Sequence, residues 1–344
     1  MIVLGLMSGT SLDGVDFTLV SFKMWDDKLN FDLLQSATIP YSENWHKDLT
    51  GAHELDSNAL DLLSHNYGNY LADLVFEFLN SVKVTPDLIA SHGHTVLHQP
   101  EEGTTVQIGN GPEIHERIGI PVVCDFRVQD VRLGGQGAPL VPIGDRLLFS
   151  EFDCCVNLGG FINLSFEDGN RRVAYDVCPM NIVMNDLASK LGKNYDDRGR
   201  MAKSGRLDED LLNELNGLSY YDESAPKSLG KEWVLENIWP RLEGYQPKDV
   251  LRTFVEHNAQ QLTRSIKGKS KVLLTGGGVF NSFFIERLSH FTNSELVIPS
   301  NEIIEYKEAL IFALLGYLKW DEKINVLSSA TGAARDHSSG VVFK

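Results

Sequence analysis

The sequence predicts an α/β protein built in two halves, on three observations. The chain opens with an apolar run, a turn of small residues and a second apolar run. At Asp153 the same plan recurs, and each opening is followed by alternating strand and helix patterns. The length, 344 residues, exceeds one comfortable hydrophobic core and suggests two domains, for which a hydrophobic content of 42 % suffices. The loop-like segment 125–142 holds the expected junction and hinge. The predicted domains are residues 1–130 and 131–344, with the last residues able to pack back on the first domain.

In order along the chain, residues 2–7 and 15–22 read as strands, and residues 31–39 can supply a third. Between the first two lie Ser8, Gly9, Thr10, Ser11, Leu12, Asp13 and Gly14. Such a turn lets backbone N–H groups and hydroxyls approach a phosphate chain without Cβ obstruction. It is not a Walker loop, because no lysine sits in it. From Ser57, Leu60, Leu63, Tyr67, Leu71, Leu74, Val75 and Phe78 recur at helical spacing, with Asp56 or Ser57 as cap.

The second opening runs through Cys154, Cys155, Val156, Asn157 and Leu158 to Gly159-Gly160, then to strands at 161–166 and 173–177. The segment 195–230 is polar, and its irregular second half is a candidate mobile flap. Pro247 opens a helix at a favoured first position, with a stripe from Val250 to Ile266 ended by Gly268. Strands at 271–275 and 295–298 flank Gly276-Gly277-Gly278, a strand–glycine–helix passage that brings backbone donors to a helix N-terminus. A helix at about 306–319 and a surface strand in the tail complete the chain.

A net charge of −16 argues against nucleic acid or an anionic membrane as partner. Acidity leaves room for an anionic substrate, since local backbone donors and a metal override the global field. No apolar stretch approaches bilayer length and no leader pattern is visible, so a soluble, cytoplasmic protein is expected. Cys124, Cys154, Cys155 and Cys178 lack Cys-x-x-Cys spacing and read as buried thiols. His92, His94 and His98 lie close together but want a distant further ligand, so loop histidines are expected rather than a metal site.

The string Gly5-Leu6-Met7-Ser8-Gly9-Thr10-Ser11-Leu12-Asp13-Gly14-Val15-Asp16 resembles the N-terminal signature of the anhydro-N-acetylmuramic acid kinases. Those kinases belong to the sugar kinase/heat-shock ATPase/actin superfold. The resemblance continues in the family's order through Gly93-His94-Thr95-Val96, Gln107-Ile108-Gly109-Asn110, Asp125-Phe126-Arg127 and the segment from Gly134 to Pro142. It then takes in Asn157-Leu158-Gly159-Gly160, Pro226-Lys227-Ser228, Gly276-Gly277-Gly278 with Asn281, Glu308-Ala309 and Thr331-Gly332-Ala333. The resemblance implies two actin-like (ribonuclease H-like) domains around a nucleotide cleft. It also implies an ATP-dependent, Mg²⁺-assisted kinase that opens and phosphorylates a 1,6-anhydro amino sugar in cell-wall recycling.

On that reading Gly9, Thr10, Ser11, Leu12, Asp13, Gly14, Val15 and Asp16 hold ATP phosphates, met from the other half by Gly159 and Gly160. Gly276, Gly277 and Gly278 face the nucleoside and α-phosphate, and Asp13 is the preferred Mg²⁺ ligand. Asp176, read as closing a strand before a helix, is either a helix cap or a catalytic acid. The family signature there is Asp-Thr-Gly-Pro-Gly-Asn, whose aspartate is the general base. Asp176, Pro179 and Asn181 match it, whereas Val177, Cys178 and Met180 do not, and the lost glycines are expected to narrow the space near the sugar.

Arg127 either takes the lactyl carboxylate or pairs with Asp125 or Asp130 at the surface. Gly134 and Gln136 would position sugar or water, Asn181 would bind substrate, and Asn181 or the helix N-terminus would help keep Asp176 ionised. Glu308 is a hydroxyl ligand or a helix-dipole partner, and Lys227 reaches phosphate or sugar or is a solvated loop residue. Two rivals stand beside this reading: another sugar or carboxylate kinase of the same superfold, and an actin-like or chaperone-like ATP-driven switch. The sequence leaves oligomeric state open, a homodimer included.

Overall fold

The computed structural model describes residues 1–9, 12–26, 28–109 and 111–344. Two compact units divide it: Met1–Leu148 with Tyr306–Lys344, and Phe149–Glu305.

In the first unit, strands β1 (Ile2–Ser8), β2 (Gly14–Trp25) and β3 (Lys28–Pro40) form an antiparallel meander. Strands β4 (Leu88–Gln99) and β6 (Val122–Cys124) extend it in parallel, while β5 (Thr104–Ile108) pairs with β4. The second unit repeats the plan. Strands β7 (Cys154–Leu158), β8 (Phe161–Asp168) and β9 (Arg171–Pro179) form the meander, and β10 (Lys271–Thr275) and β11 (Glu295–Val297) continue in parallel from β7. Three antiparallel strands followed by parallel ones on the far side of the first is the ribonuclease H-like, actin-like arrangement. Both units have it.

Each sheet buries apolar side chains under long amphipathic helices. Leu4, Leu6, Phe17 and Leu19 pack with Tyr67, Leu71 and Phe78 of helix Ser57–Val82, which Asp56 caps by accepting the Ala59 N–H at 2.9 Å. In the second unit Val156, Leu158, Ile162 and Leu164 pack with Phe254, Val255 and Leu262 of helix Pro247–Ser265. All four cysteines are buried, and none forms a disulfide.

The unit boundary differs from the predicted 130/131 division. Segment 131–148 belongs to the first unit, and so does the chain from Tyr306 onward. A buried ion pair, Lys307 Nζ to Asp145 at 2.7 Å, fastens helix Asn301–Trp320 to helix Pro142–Leu148. The tail strand β12 (Val341–Phe343) pairs with β6. The expected hinge around 126–137 is likewise held inside the first unit, where Phe126 and Asp130 are buried. Composition and loop content marked that segment, whereas its tertiary bonds place it. Among the described residues no helix is long and apolar enough to cross a membrane.

Candidate active site

Strands β7 and β10 run side by side, with Asn157 opposite Thr275. Each then enters a glycine turn, so both turns stand together at the carboxyl edge of the second unit's sheet, where α/β proteins bind ligands. The Asn157 amide lies between them. A Cβ on Gly276 would sit 2.4 Å from its Oδ1, and one on Gly159 would sit 3.0 Å from its Nδ2. Gly278 packs on Leu158. Gly160 and Gly277 are exposed, and a Cβ on Gly277 would meet nothing within 4 Å. Two of these five glycines therefore face open space, and the other three are needed for packing.

The carbonyls of the first turn face helix Asn181–Ser189. Gly160 O accepts the Met180 and Ile182 N–H groups at 2.8 and 3.2 Å, and Gly159 O accepts the Asn181 N–H at 3.3 Å. Asn181 Nδ2 donates to Leu158 O at 3.3 Å. Its amide thus braces the turn.

Asp176 lies within β9, opposite Asn163, and not at the strand's end as expected. The strand runs on because β8 continues to pair with it through Phe161 and Pro179, across a bulge at Ile162/Asn163. A helix cap is excluded, since the following helix begins at Asn181 with Met180 as its cap residue and no side-chain cap bond. The Leu229 N–H donates to Asp176 Oδ2 at 2.9 Å. Its own N–H donates to Lys227 O at 3.2 Å, and its carbonyl accepts the Tyr220 hydroxyl at 2.6 Å. Oδ1 makes no hydrogen bond among the described residues and is not sealed from solvent. Burial raises the carboxyl pKa, and the Leu229 N–H partly offsets this.

The loop expected to be a flap is therefore stitched along β9. Lys227 serves that stitching, because its Nζ donates to Tyr220 O at 2.8 Å and lies 4.4 Å over the Tyr220 ring. Val177, Cys178 and Met180, the departures from the family signature, are 2 %, 0 % and 0 % exposed. They fill the core of the unit and do not narrow an open surface.

In the first unit, Thr10 and Ser11 lie outside the described residues. Gly9 and Leu12 flank them, with the Leu12 N–H donating to Gly9 O at 3.4 Å. Asp13 is exposed in the turn. Gly14, Val15 and Asp16 already belong to β2. A Cβ on Gly14 would lie 2.4 Å from Ile39 O, so this glycine permits close pairing with β3. Val15 is core, and Asp16 Oδ1 accepts the Thr38 hydroxyl at 2.6 Å. These three were expected at phosphate; Gly14 and Val15 lie within the strand pairing, and Asp16 holds Thr38.

Beneath this turn, Ser8 Oγ is 2.9 Å from His94 Nδ1 and 2.6 Å from the Tyr41 hydroxyl, which continues to Tyr67. Burial lowers the His94 pKa to about 4 and raises that of Tyr41 to about 12, so both are neutral at pH 7.

A second cluster surrounds Arg127. Its Nε donates to His92 Nε2 at 2.9 Å and its Nη1 to Gly137 O at 2.7 Å. His92 Nδ1 meets Gly93 O at 2.9 Å, which fixes a neutral ring with the proton on Nδ1. Burial lowers the Arg127 pKa to about 10, still charged at neutral pH, with Glu308 and Asp130 supporting the charge. Nη2 makes no hydrogen bond among the described residues. Glu308 is solvent-exposed, yet protein crowds it enough to raise its carboxyl pKa, and Arg127 and Lys307 oppose that rise. Its exposure decides whether a ligand can reach it.

Asp130, read from sequence only as a surface partner of Arg127, proves to be the buried hub of this region. Its Oδ2 accepts the Gly137 N–H and its Oδ1 the Thr331 hydroxyl, both at 2.7 Å, while Thr331 O accepts the Gln136 N–H at 2.8 Å. Gly134 and the Gln136 side chain are left exposed. No composition signal distinguishes a hub aspartate from a solvated one; only the fold brings residue 331 to residue 130. Among the described residues no group of three His, Cys, Asp or Glu could hold a metal.

Over residues 1–344 the chain matches the family model for anhydro-N-acetylmuramic acid kinase. It is 32 % identical over 370 residues to the anhydro-N-acetylmuramic acid kinase of Aliivibrio fischeri (strain ATCC 700601 / ES114), covering 99 % of this chain and 98 % of that one. It is 33 % identical over 364 residues to that of Vibrio vulnificus (strain YJ016), covering 99 % and 97 %. Among solved structures, the (R)-2-hydroxyglutaryl-CoA dehydratase component A of Acidaminococcus fermentans aligns with a TM-score of 0.48 at 12 % identity, over 93 % of this chain and 98 % of that one.

Proposed function

Because the chain belongs to the anhydro-N-acetylmuramic acid kinase family, we propose that Asp176 is the general base of a joined ring-opening and phosphorylation. The chain is an ATP-dependent kinase of 1,6-anhydro-N-acetylmuramic acid in peptidoglycan recycling. In the reaction proposed here, Asp176 Oδ1 takes a proton from water, and the water oxygen bonds to the anomeric carbon. The bond from that carbon to the bridging oxygen breaks, and the freed oxygen at position 6 takes the γ-phosphoryl group. ADP and N-acetylmuramic acid 6-phosphate leave. Phosphorylating the departing oxygen spares it from becoming an alkoxide, so each half of the reaction lowers the barrier of the other.

The observation that carries this reading is the state of Asp176: one oxygen anchored by Leu229, the other reaching solvent. A pKa raised by burial makes the carboxylate a stronger base. The open backbone at Gly160 and Gly277 suits phosphate oxygens. The remaining Arg127 N–H groups suit the lactyl carboxylate, and Glu308 suits a sugar hydroxyl. Asp13, exposed in its turn, fits a Mg²⁺ that keeps most of its waters, with Asp16 engaged by Thr38 and outside the first ligand shell. Bound there, the ion would neutralise phosphate charge. A cytoplasmic location is part of the proposal, supported by four thiols without a disulfide.

A kinase for a different sugar was favoured by the changes at residues 177, 178 and 180, but their burial removes that ground. The reaction run in ¹⁸O-labelled water should give a phosphorylated product labelled at the anomeric carbon. An unlabelled phosphosugar, or one with its anhydro ring intact, would leave a kinase and remove the hydrolytic step.

A further inference from the structure

Strand register sets three polar side chains in one row across the second unit's sheet: Asn157 on β7, Asn163 on β8 and Asp176 on β9. Residues directly opposite in adjacent strands stand on the same face, about 5 Å apart. The flanking residues Val156, Leu158, Ile162 and Leu164 are all buried in the core, so the alternation sends Asn163 away from it. The Asn163 carboxamide makes no hydrogen bond among the described residues, and neither polar atom is sealed from solvent. An asparagine on a β-strand is disfavoured by propensity, and one without a partner adds nothing visible to stability. Its strand neighbour is the carboxylate whose Oδ1 is also unengaged.

We propose that Asn163 is a catalytic residue that holds the attacking water against Asp176. This rests on the assignment of Asp176 as base. The water donates one O–H to Asp176 Oδ1 and the other to the carboxamide oxygen of Asn163, so its lone pair is turned toward the anomeric carbon. As the C–O bond forms, the first proton passes to Asp176, the bond to the bridging oxygen breaks, and that oxygen takes the γ-phosphoryl group. The Asn163 bond is kept throughout. The bulge at Ile162/Asn163 supplies the local twist by which one strand pair can aim two side chains at a single point.

The test compares Asn163→Ala, Asn163→Asp and Asp176→Asn with the unmodified enzyme, using ATP, Mg²⁺ and 1,6-anhydro-N-acetylmuramic acid. Asn163→Ala should lower kcat about 10- to 100-fold, the scale of a misplaced reactant, with the KM for ATP unchanged. Asn163→Asp preserves shape and places a second carboxylate beside Asp176. The acidic limb of its kcat/KM profile should then move to higher pH, as a carboxylate standing beside the base requires. Other titratable groups around Asp176 are Cys178, Tyr220 and Lys227, and none is changed in this comparison. Turnover of Asn163→Ala within twofold of the unmodified enzyme, or an unmoved acidic limb in folded Asn163→Asp, overturns the proposal. If Asp176→Asn is inactive in either case, the base assignment survives and only the water-holding role of Asn163 is lost. An active Asp176→Asn removes both.

Discussion

The two units open with the same device, a strand, a glycine turn and a returning strand, yet they use their glycines differently. In the first, Gly14 is there so that β2 can approach the carbonyl of Ile39, and Val15 and Asp16 are absorbed by the core and by Thr38. In the second, Gly160 and Gly277 stand open at the carboxyl edge of the sheet, beside a carboxylate with one unengaged oxygen. Glycine in a signature is thus two different statements. It can mean that a ligand comes close, or that another strand does, and a Cβ placed on the backbone tells them apart.

The contrast can be broken most severely at Asp176. Asparagine there should leave ATP binding nearly intact and lower turnover by roughly 10²–10⁴, the worth of a general base. Steady-state kinetics beside calorimetric ATP titration measures both, and a variant keeping more than about a tenth of the activity would exclude the role. Next in size is Asp130→Ala in the first unit. It strands the Gly137 N–H and leaves the Thr331 hydroxyl only a 3.4 Å bond to Leu327 O, and a group left unpaired in the interior costs about 1–3 kcal/mol. Denaturant unfolding should show a loss of about 2–4 kcal/mol, with a raised KM for the sugar in whatever enzyme folds.

The two kinds of glycine separate in a paired experiment. Gly14→Val should destabilise the fold by roughly 1–3 kcal/mol through overpacking against Ile39. Gly277→Val should leave thermal stability alone and weaken ATP binding about tenfold, or about 1.4 kcal/mol. If the two variants behave alike in both assays, the distinction fails.

The smallest effect concerns stability and pH. Burial raises the Asp176 pKa in the folded protein, so the folded state binds more protons there than the unfolded chain does. Stability from this group is therefore fully present below the usual aspartate range and is lost as pH rises through the folded value. Asp176→Asn removes that loss. Its Tm should exceed that of the unmodified protein at pH 7, and the difference should shrink toward pH 4. An equal or larger gap at pH 4 would contradict the sign.

Periodicity made most of the fold readable in advance. The stripe from Leu60 to Phe78 gave the long helix, and Pro247 and Gly268 bracketed another, because amphipathic spacing and end signals act over a few residues. The glycine turns and Asp176 were visible as motifs for the same reason. Local chemistry also explains where the reading stopped short. The helix starting at Asn301 was read from about residue 306, since its first turn mixes Asn301 and Glu302 with Ile303 and Ile304 and shows no clear stripe.

What the chain alone determined was thus the set of elements, the order of the family's motifs and the residue types able to handle phosphate and a sugar acid. Tertiary structure decided which of those residues remain accessible to a ligand. Val177, Cys178 and Met180 were turned into the core, Lys227 was tied to Tyr220, and Gly14 was used up by a strand. It alone made Asp130 a hub, by bringing Thr331 across 201 residues of sequence, and it alone set Asn163 beside Asp176. The physical reason is one of range. Propensity and capping act within a turn or two of chain, but burial, register and the satisfaction of a buried carboxylate depend on partners that only the folded chain brings within 3 Å.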